Sequence, residues 1–130
     1  MKRNVLNGAV MGLVLLGLTE VGAASLENEK QIASVTQSYY SIKHISNPDK
    51  EVQLAAIAQS YHALQYIKNP DKEVQMAAIK QDARAIKFIE NPDKDLQIAA
   101  VKQSYHAIRY IENPNKEASQ LAYTAMMQEY

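Results

Sequence analysis

Apolar and polar positions recur along this chain with a period of 22 residues. Residues 47–68 read NPDKEVQLAAIAQSYHALQYIK, and the same pattern returns without insertion or deletion at 69–90 and 91–112. A degraded copy occupies 25–46, and a partial copy opens the segment 113–130. Self-similarity at such a period indicates a solenoid, in which each unit buries its apolar face only by stacking on its neighbours.

Each repeat predicts two short helices. Asn47 is a favourable N-cap, Pro48 suits the first helical position, and Asp49 places negative charge at the positive end of the helix dipole. The first helix then covers 48–59 and the second covers 61–68, and we expect both to be α-helical. The N-caps expected for the second helices are Ser60, Asp82 and Ser104.

The apolar positions of both helices fall on one face at helical spacing. In the first helix these include Val52 and the pair Ala55 and Ala56, whose small side chains let adjacent repeats approach closely. In the second helices they are Ala63, Leu64 and Ile67, then Ala85, Ile86 and Ile89, then Ala107, Ile108 and Ile111. The predicted fold class is all-α: a superhelical solenoid of about four two-helix repeats with a C-terminal capping helix. Helices this short are unstable alone, so unfolding should be cooperative across the array.

Two rows of glutamines keep the same place in every copy. The row at the joint between the helices is Gln37, Gln59, Gln81 and Gln103. The row within the first helices is Gln31, Gln53, Gln75 and Gln97. Such amides could read an extended peptide, but we favour bonds to helix ends for the first row and a solvated face for the second.

The pattern NPDKEVQLAAI followed by Ala-Leu-X-Tyr-Ile resembles the leucine-rich repeat variant, one of the short helical repeats of the armadillo and HEAT group. The resemblance covers 25 to about 123. It implies a curved, right-handed superhelix that binds a partner on its surface, and it implies no catalytic residue. Variant repeats use a 3₁₀ segment as their second element, whereas two α-helices are expected here.

Composition removes several function classes. The chain has 14 basic and 14 acidic residues, and the part after residue 24 keeps 12 and 13 of them. A near-neutral chain has no strong field to attract nucleic acid or anionic lipid. The absence of cysteine excludes disulfides, thiolate chemistry and cysteine-based zinc sites.

Polar residues that could serve in catalysis or metal binding do not converge on one site. Stacked helices lie about 8–10 Å apart, so the carboxylates of the acidic row Asp49, Asp71 and Asp93 are too far apart to share an ion directly. His62 and His106 lie two repeats apart and cannot bind one metal ion within a protomer. We therefore predict no catalytic residue, no cofactor and no metal site.

The best candidate for a partner surface is the start of the second helices, together with the basic row behind it. The candidate residues are Tyr39, Tyr40, Tyr61, His62, Arg84, Lys87, Tyr105, His106 and Arg109. Tyrosine and arginine are favoured at binding hot spots. The alternative is that the tyrosines cover the gaps between repeats, with Ala83 as the exception. Packing between repeats is the expected role of Tyr66, Phe88 and Tyr110.

These observations predict an exported, non-enzymatic protein–protein interaction module with an unidentified protein partner. The alternative is a membrane-tethered structural spacer of the cell envelope. A nucleic-acid binder using Lys80, Lys87, Lys102 and Arg109 is disfavoured by the acidic neighbours of these residues. The apolar C-terminal segment predicts either a cap on the last repeat or a contact with a second copy, hence a monomer or a weak homodimer.

Residues 1–24 have the pattern of a secretory signal peptide. Lys2 and Arg3 precede the apolar run 8–18, and small residues follow near 22–24. The domain division is therefore a signal peptide at 1–24 and a solenoid at 25–130. An uncleaved membrane anchor remains the alternative, but a spanning helix needs about 20 apolar residues, and this run is shorter.

Cleavage predicts a periplasmic or secreted chain that begins near Ala24 or Ser25. The intact mass of the exported protein, measured by mass spectrometry, should match that start. A full-length mass recovered from the membrane fraction would contradict cleavage and support the anchor.

Overall fold

The structure, a computed structural model, describes residues 20–130, with side chains from residue 25 onward. The described residues form helices and no strand. The α-helices are α1 (Glu20–Gln37), α2 (Lys50–Gln59), α3 (Lys72–Gln81), α4 (Lys94–Gln103) and α5 (Lys116–Gln128). The 3₁₀ helices between them are η1 (Tyr39–His44), η2 (Tyr61–Tyr66), η3 (Ala83–Phe88) and η4 (Tyr105–Tyr110).

The helices stack in two layers along the chain. Each α-helix contacts the next α-helix, and each 3₁₀ helix contacts the next 3₁₀ helix as well as the α-helices beside it. This arrangement confirms the predicted all-α solenoid. The predicted signal segment 1–24 lies outside the described residues, apart from the helical backbone of 20–24. Among residues 20–130, none of the helices combines the length and apolar character needed to cross a membrane.

The second element of each repeat is a 3₁₀ helix, so the expectation of a second α-helix was wrong. Tyr61 and Leu64 of η2 and Ile67, the residue that follows it, recur every third position, and all three are buried. Side chains three apart line up in a 3₁₀ helix because it has three residues per turn. Extended residues on both sides, Ser60 at φ −165° and Ile67 at φ −96°, limit this element to six residues, and 3₁₀ helices occur mainly as short pieces.

The Asn-Pro step ends a turn and does not begin the helix, which corrects the predicted N-cap. Asn47, Asn69 and Asn91 have φ of 50°, 53° and 50°, in the left-handed region that asparagine tolerates better than most residues. The α-helices start three residues later, and the residue before each start is the N-cap. Asp93 shows the arrangement, since its carboxylate accepts a hydrogen bond of 3.0 Å from the N–H of Leu96.

The same capping bond recurs at two further helix starts. Asp71 accepts from the N–H of Val74 at 3.1 Å, and Asn115 accepts from the N–H of Ala118 at 2.9 Å. At Asp93 this bond is the main reason that the carboxyl pKa lies below its ordinary value. The prediction that helix-start electrostatics explains the acidic row is therefore confirmed for these two aspartates.

The core runs through the array as one continuous cluster. Val52 and Ala56 of the repeat at 47–68 are fully buried, and the same positions of the next two repeats are 0–2 % exposed. The predicted core residues of the 3₁₀ helices are also buried, except that Ile108 is half-buried. At the C-terminal end, α5 covers the last repeat with Ala118 and Ala122, which confirms its role as a cap.

Members of both glutamine rows bond to the backbone. In the first row, Gln81 donates to the carbonyl of Ile57 at 2.7 Å, and Gln103 donates to the carbonyl of Lys80 at 3.3 Å. These bonds satisfy carbonyls at helix ends, as predicted. The solvated face expected for the second row was wrong at Gln97, which is 6 % exposed. Its amide donates to the carbonyl of Pro92 and accepts from the N–H of Asn115, both at 2.8 Å.

A ladder of ion pairs joins the starts of successive α-helices. Lys72 pairs with Asp95 at 2.6 Å, Lys94 pairs with Glu117 at 2.6 Å, and Lys50 pairs with Glu73. Each pair links the first residue of one helix to the second residue of the next. The lysines and acids are exposed, so each pair is worth little alone, but the ladder keeps neighbouring helix starts aligned.

The left-handed asparagines give a test of this backbone. Asn69→Ala should lower the free energy of unfolding by about 1 kcal/mol, because the Cβ of alanine disfavours positive φ, whereas Asn69→Gly should preserve stability. Asn113 also precedes a proline but does not have positive φ. Asn113→Ala is therefore the matched control, with an expected change below about 0.5 kcal/mol. Urea unfolding followed by circular dichroism measures all three, and equal losses at the two asparagines would contradict the assignment.

Candidate interaction surface

The three-residue period of the 3₁₀ helices decides which side chains point outward. The first, third and fourth residues of η2 (Tyr61, Ala63 and Leu64) are buried. The second and fifth positions lie on the outer side of each 3₁₀ helix, and together we name them the η face. Its members are Tyr40, Lys43, His62, Gln65, Arg84, Lys87, His106 and Arg109. All of them are exposed except His62, which is half-buried.

The nine predicted site residues lie along one side of the array but divide by exposure. Tyr40, Arg84, Lys87, His106 and Arg109 are exposed. The half-buried members are Tyr39, His62 and Tyr105. The remaining one, Tyr61, is 8 % exposed and belongs to the core, so its side chain serves packing and not contact with a partner.

Local caps hold two of these 3₁₀ helices in place. The hydroxyl of Ser60 accepts from the N–H of His62 at 3.2 Å, and the carboxylate of Asp82 accepts from the N–H of Arg84 at 2.8 Å. The N-caps predicted at these two residues are confirmed. Ser104 is the N-cap residue of η4, as predicted, but its side chain makes no capping bond.

Aromatic contacts join consecutive 3₁₀ helices. The rings of Tyr40 and Tyr66 are 5.0 Å apart in an edge-to-face arrangement, and the ring of Phe88 lies 6.2 Å from that of Tyr61. Such separations are favourable for aromatic pairs. The packing role predicted for Tyr66 and Phe88 is confirmed. Tyr110, the third residue of that row, remains 38 % exposed.

Cations of the η face are held by neighbouring rings and by one carboxylate. The Nζ atom of Lys43 lies 3.9 Å from the ring centre of Tyr40, and that of Lys87 lies 5.0 Å from the ring centre of Phe88. The hydrogen bond to Lys43 is the largest cause that lowers the pKa of Tyr40. These contacts orient the ammonium groups without neutralising them.

Arg84 is held by Asp82. Its guanidinium Nε and Nη2 donate to the two carboxylate oxygens at 3.0 and 2.6 Å. This pair lowers the pKa of the Asp82 carboxyl and raises the pKa of Arg84. Arg109 forms no comparable pair among the described residues, so its charge is directed to solvent.

A cavity of about 470 Å³ opens between η3 and η4. We name it the η3–η4 pocket. Its wall includes Ala83, Arg84, Ser104, His106, Arg109 and Tyr110. In the sequence, Ala83 is the exception in a row of tyrosines, and this substitution indicates where the pocket lies. Tyr110 and Ser104 were not predicted to line a site.

The described residues hold no group of three or more histidine, aspartate or glutamate side chains placed to bind a metal ion. What the fold defines is a class: an all-α solenoid whose repeats each combine an α-helix with a 3₁₀ helix. Comparison of the chain with family models, with curated proteins and with solved structures gives no match.

The Asp82–Arg84 pair predicts a pH dependence. Because the folded pKa of Asp82 is lowered, its charge stabilises the fold above the unfolded-state pKa of about 4, and this stabilisation is lost as the pH falls through the folded pKa. Asp82→Asn keeps a capping side chain but removes the charge. It should lower the free energy of unfolding by about 0.5 kcal/mol at pH 6.

Urea unfolding at pH 6 and at pH 3 measures the effect, and the difference between Asp82→Asn and wild type should shrink at the lower pH. Ser104→Ala is the control, since Ser104 makes no capping bond, and its effect should not depend on pH. A difference for Asp82→Asn that is the same at both pH values would contradict the assignment.

Proposed function

We propose that this chain is an exported, non-enzymatic protein-binding module that contacts its partner through the η face. The observation that carries the proposal is the composition of that face. Its outward positions include Tyr40, Arg84 and Arg109, residue types that concentrate binding energy at interfaces. The core is formed by the inward positions of the same 3₁₀ helices. The exposure of these outward residues is therefore not a consequence of core packing.

The constant residues of the repeat support the same division of roles. Two glutamines at the joints bond to backbone carbonyls, and the acids at helix starts act as caps or ion-pair partners. These polar residues are occupied within the fold. The positions that vary between copies, such as Gln65, Lys87 and Arg109, point outward and are free to suit a particular partner.

We also infer kinship with the leucine-rich repeat variant group. The alternation of an α-helix with a 3₁₀ helix supports this, since variant repeats use a 3₁₀ segment as their second element. The 22-residue repeat and its paired alanines support it further. Export is proposed from the signal-like pattern of 1–24, and a membrane-tethered spacer is the alternative.

The test is affinity capture with two variants of matched charge. The first replaces three cations of the η face, Arg84→Gln, Lys87→Gln and Arg109→Gln. The control replaces three exposed lysines of the α-helices, Lys30→Gln, Lys80→Gln and Lys102→Gln. The chain from residue 25 onward is immobilised and exposed to an envelope extract of the source cells.

A partner held by wild type and by the control, but lost from the η-face variant, is the expected result. Equal loss from both variants would show that capture follows net charge and would contradict a specific surface. Absence of any captured protein would favour the tethered spacer.

A further inference from the structure

The gaps between consecutive 3₁₀ helices are closed by aromatic side chains in the first half of the array. Between η1 and η2, Tyr40 packs on Tyr66 with ring centres 5.0 Å apart. Between η2 and η3, Phe88 packs on Tyr61 at 6.2 Å and on His62 at 5.9 Å. In each case a ring from the start of one 3₁₀ helix covers a ring from the end of the next.

The gap between η3 and η4 lacks this closure. The residue that corresponds to Tyr61 is Ala83, and the residue that corresponds to Phe88 is Tyr110. Ala83 has no ring to place against Tyr110, and the neighbouring Arg84 is held by Asp82. Both Ala83 and Tyr110 line the η3–η4 pocket of about 470 Å³. The pocket therefore occupies the place that a tyrosine at position 83 would fill by analogy with Tyr61.

The pocket is large enough to admit a side chain of a partner, since its volume of about 470 Å³ lies in the range of about 300–1,000 Å³ that is common for pockets that bind small molecules. Its apolar lining is mainly the exposed side chain of Tyr110, beside the buried Ala83 and Ala107. An aromatic side chain meets these surfaces in the manner of Tyr61 against Phe88 in the preceding gap.

The positive charge of the pocket favours an acidic residue next to the aromatic residue of the partner. Arg84, Arg109 and His106 line it, and the one carboxylate in the lining, Asp82, is paired with Arg84. Arg109 has no carboxylate partner among the ion pairs of the described residues. A guanidinium that faces a pocket without a counter-charge favours a carboxylate ligand, which it binds with charge-assisted hydrogen bonds.

We propose that the η3–η4 pocket binds the aromatic side chain of an extended acidic peptide of a partner protein, with a neighbouring carboxylate on Arg109. The ring takes the place left open by Ala83 and packs against Tyr110. This inference rests on the proposed function and specifies the partner: a segment in which tyrosine or phenylalanine is flanked by aspartate or glutamate.

A fluorescein-labelled peptide with one tyrosine flanked by two glutamates on each side tests the proposal. Its dissociation constant for the purified chain is measured by fluorescence anisotropy. Two comparison peptides carry alanine in place of the tyrosine or glutamines in place of the glutamates. The first peptide should bind at least about tenfold more tightly than either comparison peptide, the size of effect that a hot-spot contact carries.

Ala83→Tyr is the decisive variant, because it restores the residue that the three other copies of the repeat carry at this position. It fills the pocket with the chain's own ring, so it should keep the fold and weaken peptide binding at least about tenfold. Arg109→Gln should weaken binding to the acidic peptide but not to the glutamine peptide. Lys102→Gln makes the same change of charge outside the pocket lining and should leave binding unchanged.

Equal binding of the tyrosine and alanine peptides, or unchanged binding by Ala83→Tyr, would overturn the proposal. So would equal weakening by Arg109→Gln and Lys102→Gln, since that would reflect overall charge. Each of these results leaves the proposed function untouched if envelope capture still depends on the η face. Failure of that capture would count against the proposed function even if the peptide binds.

Discussion

The stacking of each short helix pair on the next is the constraint on which the rest of this structure depends. A ten-residue α-helix and a six-residue 3₁₀ helix are both too short to persist alone in water. Side chains such as Leu64 and Ile86 become fully buried only because neighbouring repeats cover them. Most inward positions must therefore stay apolar in every copy, whereas the outward positions are under no such demand.

An array of many short helices also has many helix ends, whose backbone groups need hydrogen-bond partners. Polar residues at the joints supply some of these partners. Gln81 reaches back to the carbonyl of Ile57, and Gln97 links the loop before its own helix to the loop before the next. Because unpaired buried backbone groups are costly, these amides are as structural as the aliphatic core. Their constancy along the chain reflects this role.

The alanine at position 83, where the other copies carry tyrosine, is informative because the surrounding core positions of the repeat are nearly unchanged. The array tolerates alanine at position 83, since Ala85 and Ile86 beside it remain fully buried. The missing ring coincides with an opening at the surface. A solenoid can thus acquire a pocket by the loss of one side chain, because each repeat is held mainly by the core contacts that remain.

The sequence by itself determined the repeats, their order and most of the inward positions, because stacking in a solenoid is a nearest-neighbour property that a 22-residue period expresses directly. What it did not determine was the type of the second helix. A short segment such as YHALQY suits either helix, and the packing of Tyr61, Leu64 and Ile67 against neighbours selects the three-residue period.

Only the tertiary structure decided which of two adjacent side chains is buried. Tyr61 enters the core and His62 faces outward, a distinction that depends on the helix period and not on residue type. The tertiary structure also decided the left-handed conformation of Asn69, the burial of Gln97 and the ion pair between Lys72 and Asp95. These features lie at turns or between repeats, where the geometry of the neighbouring repeat and not the local sequence sets the arrangement.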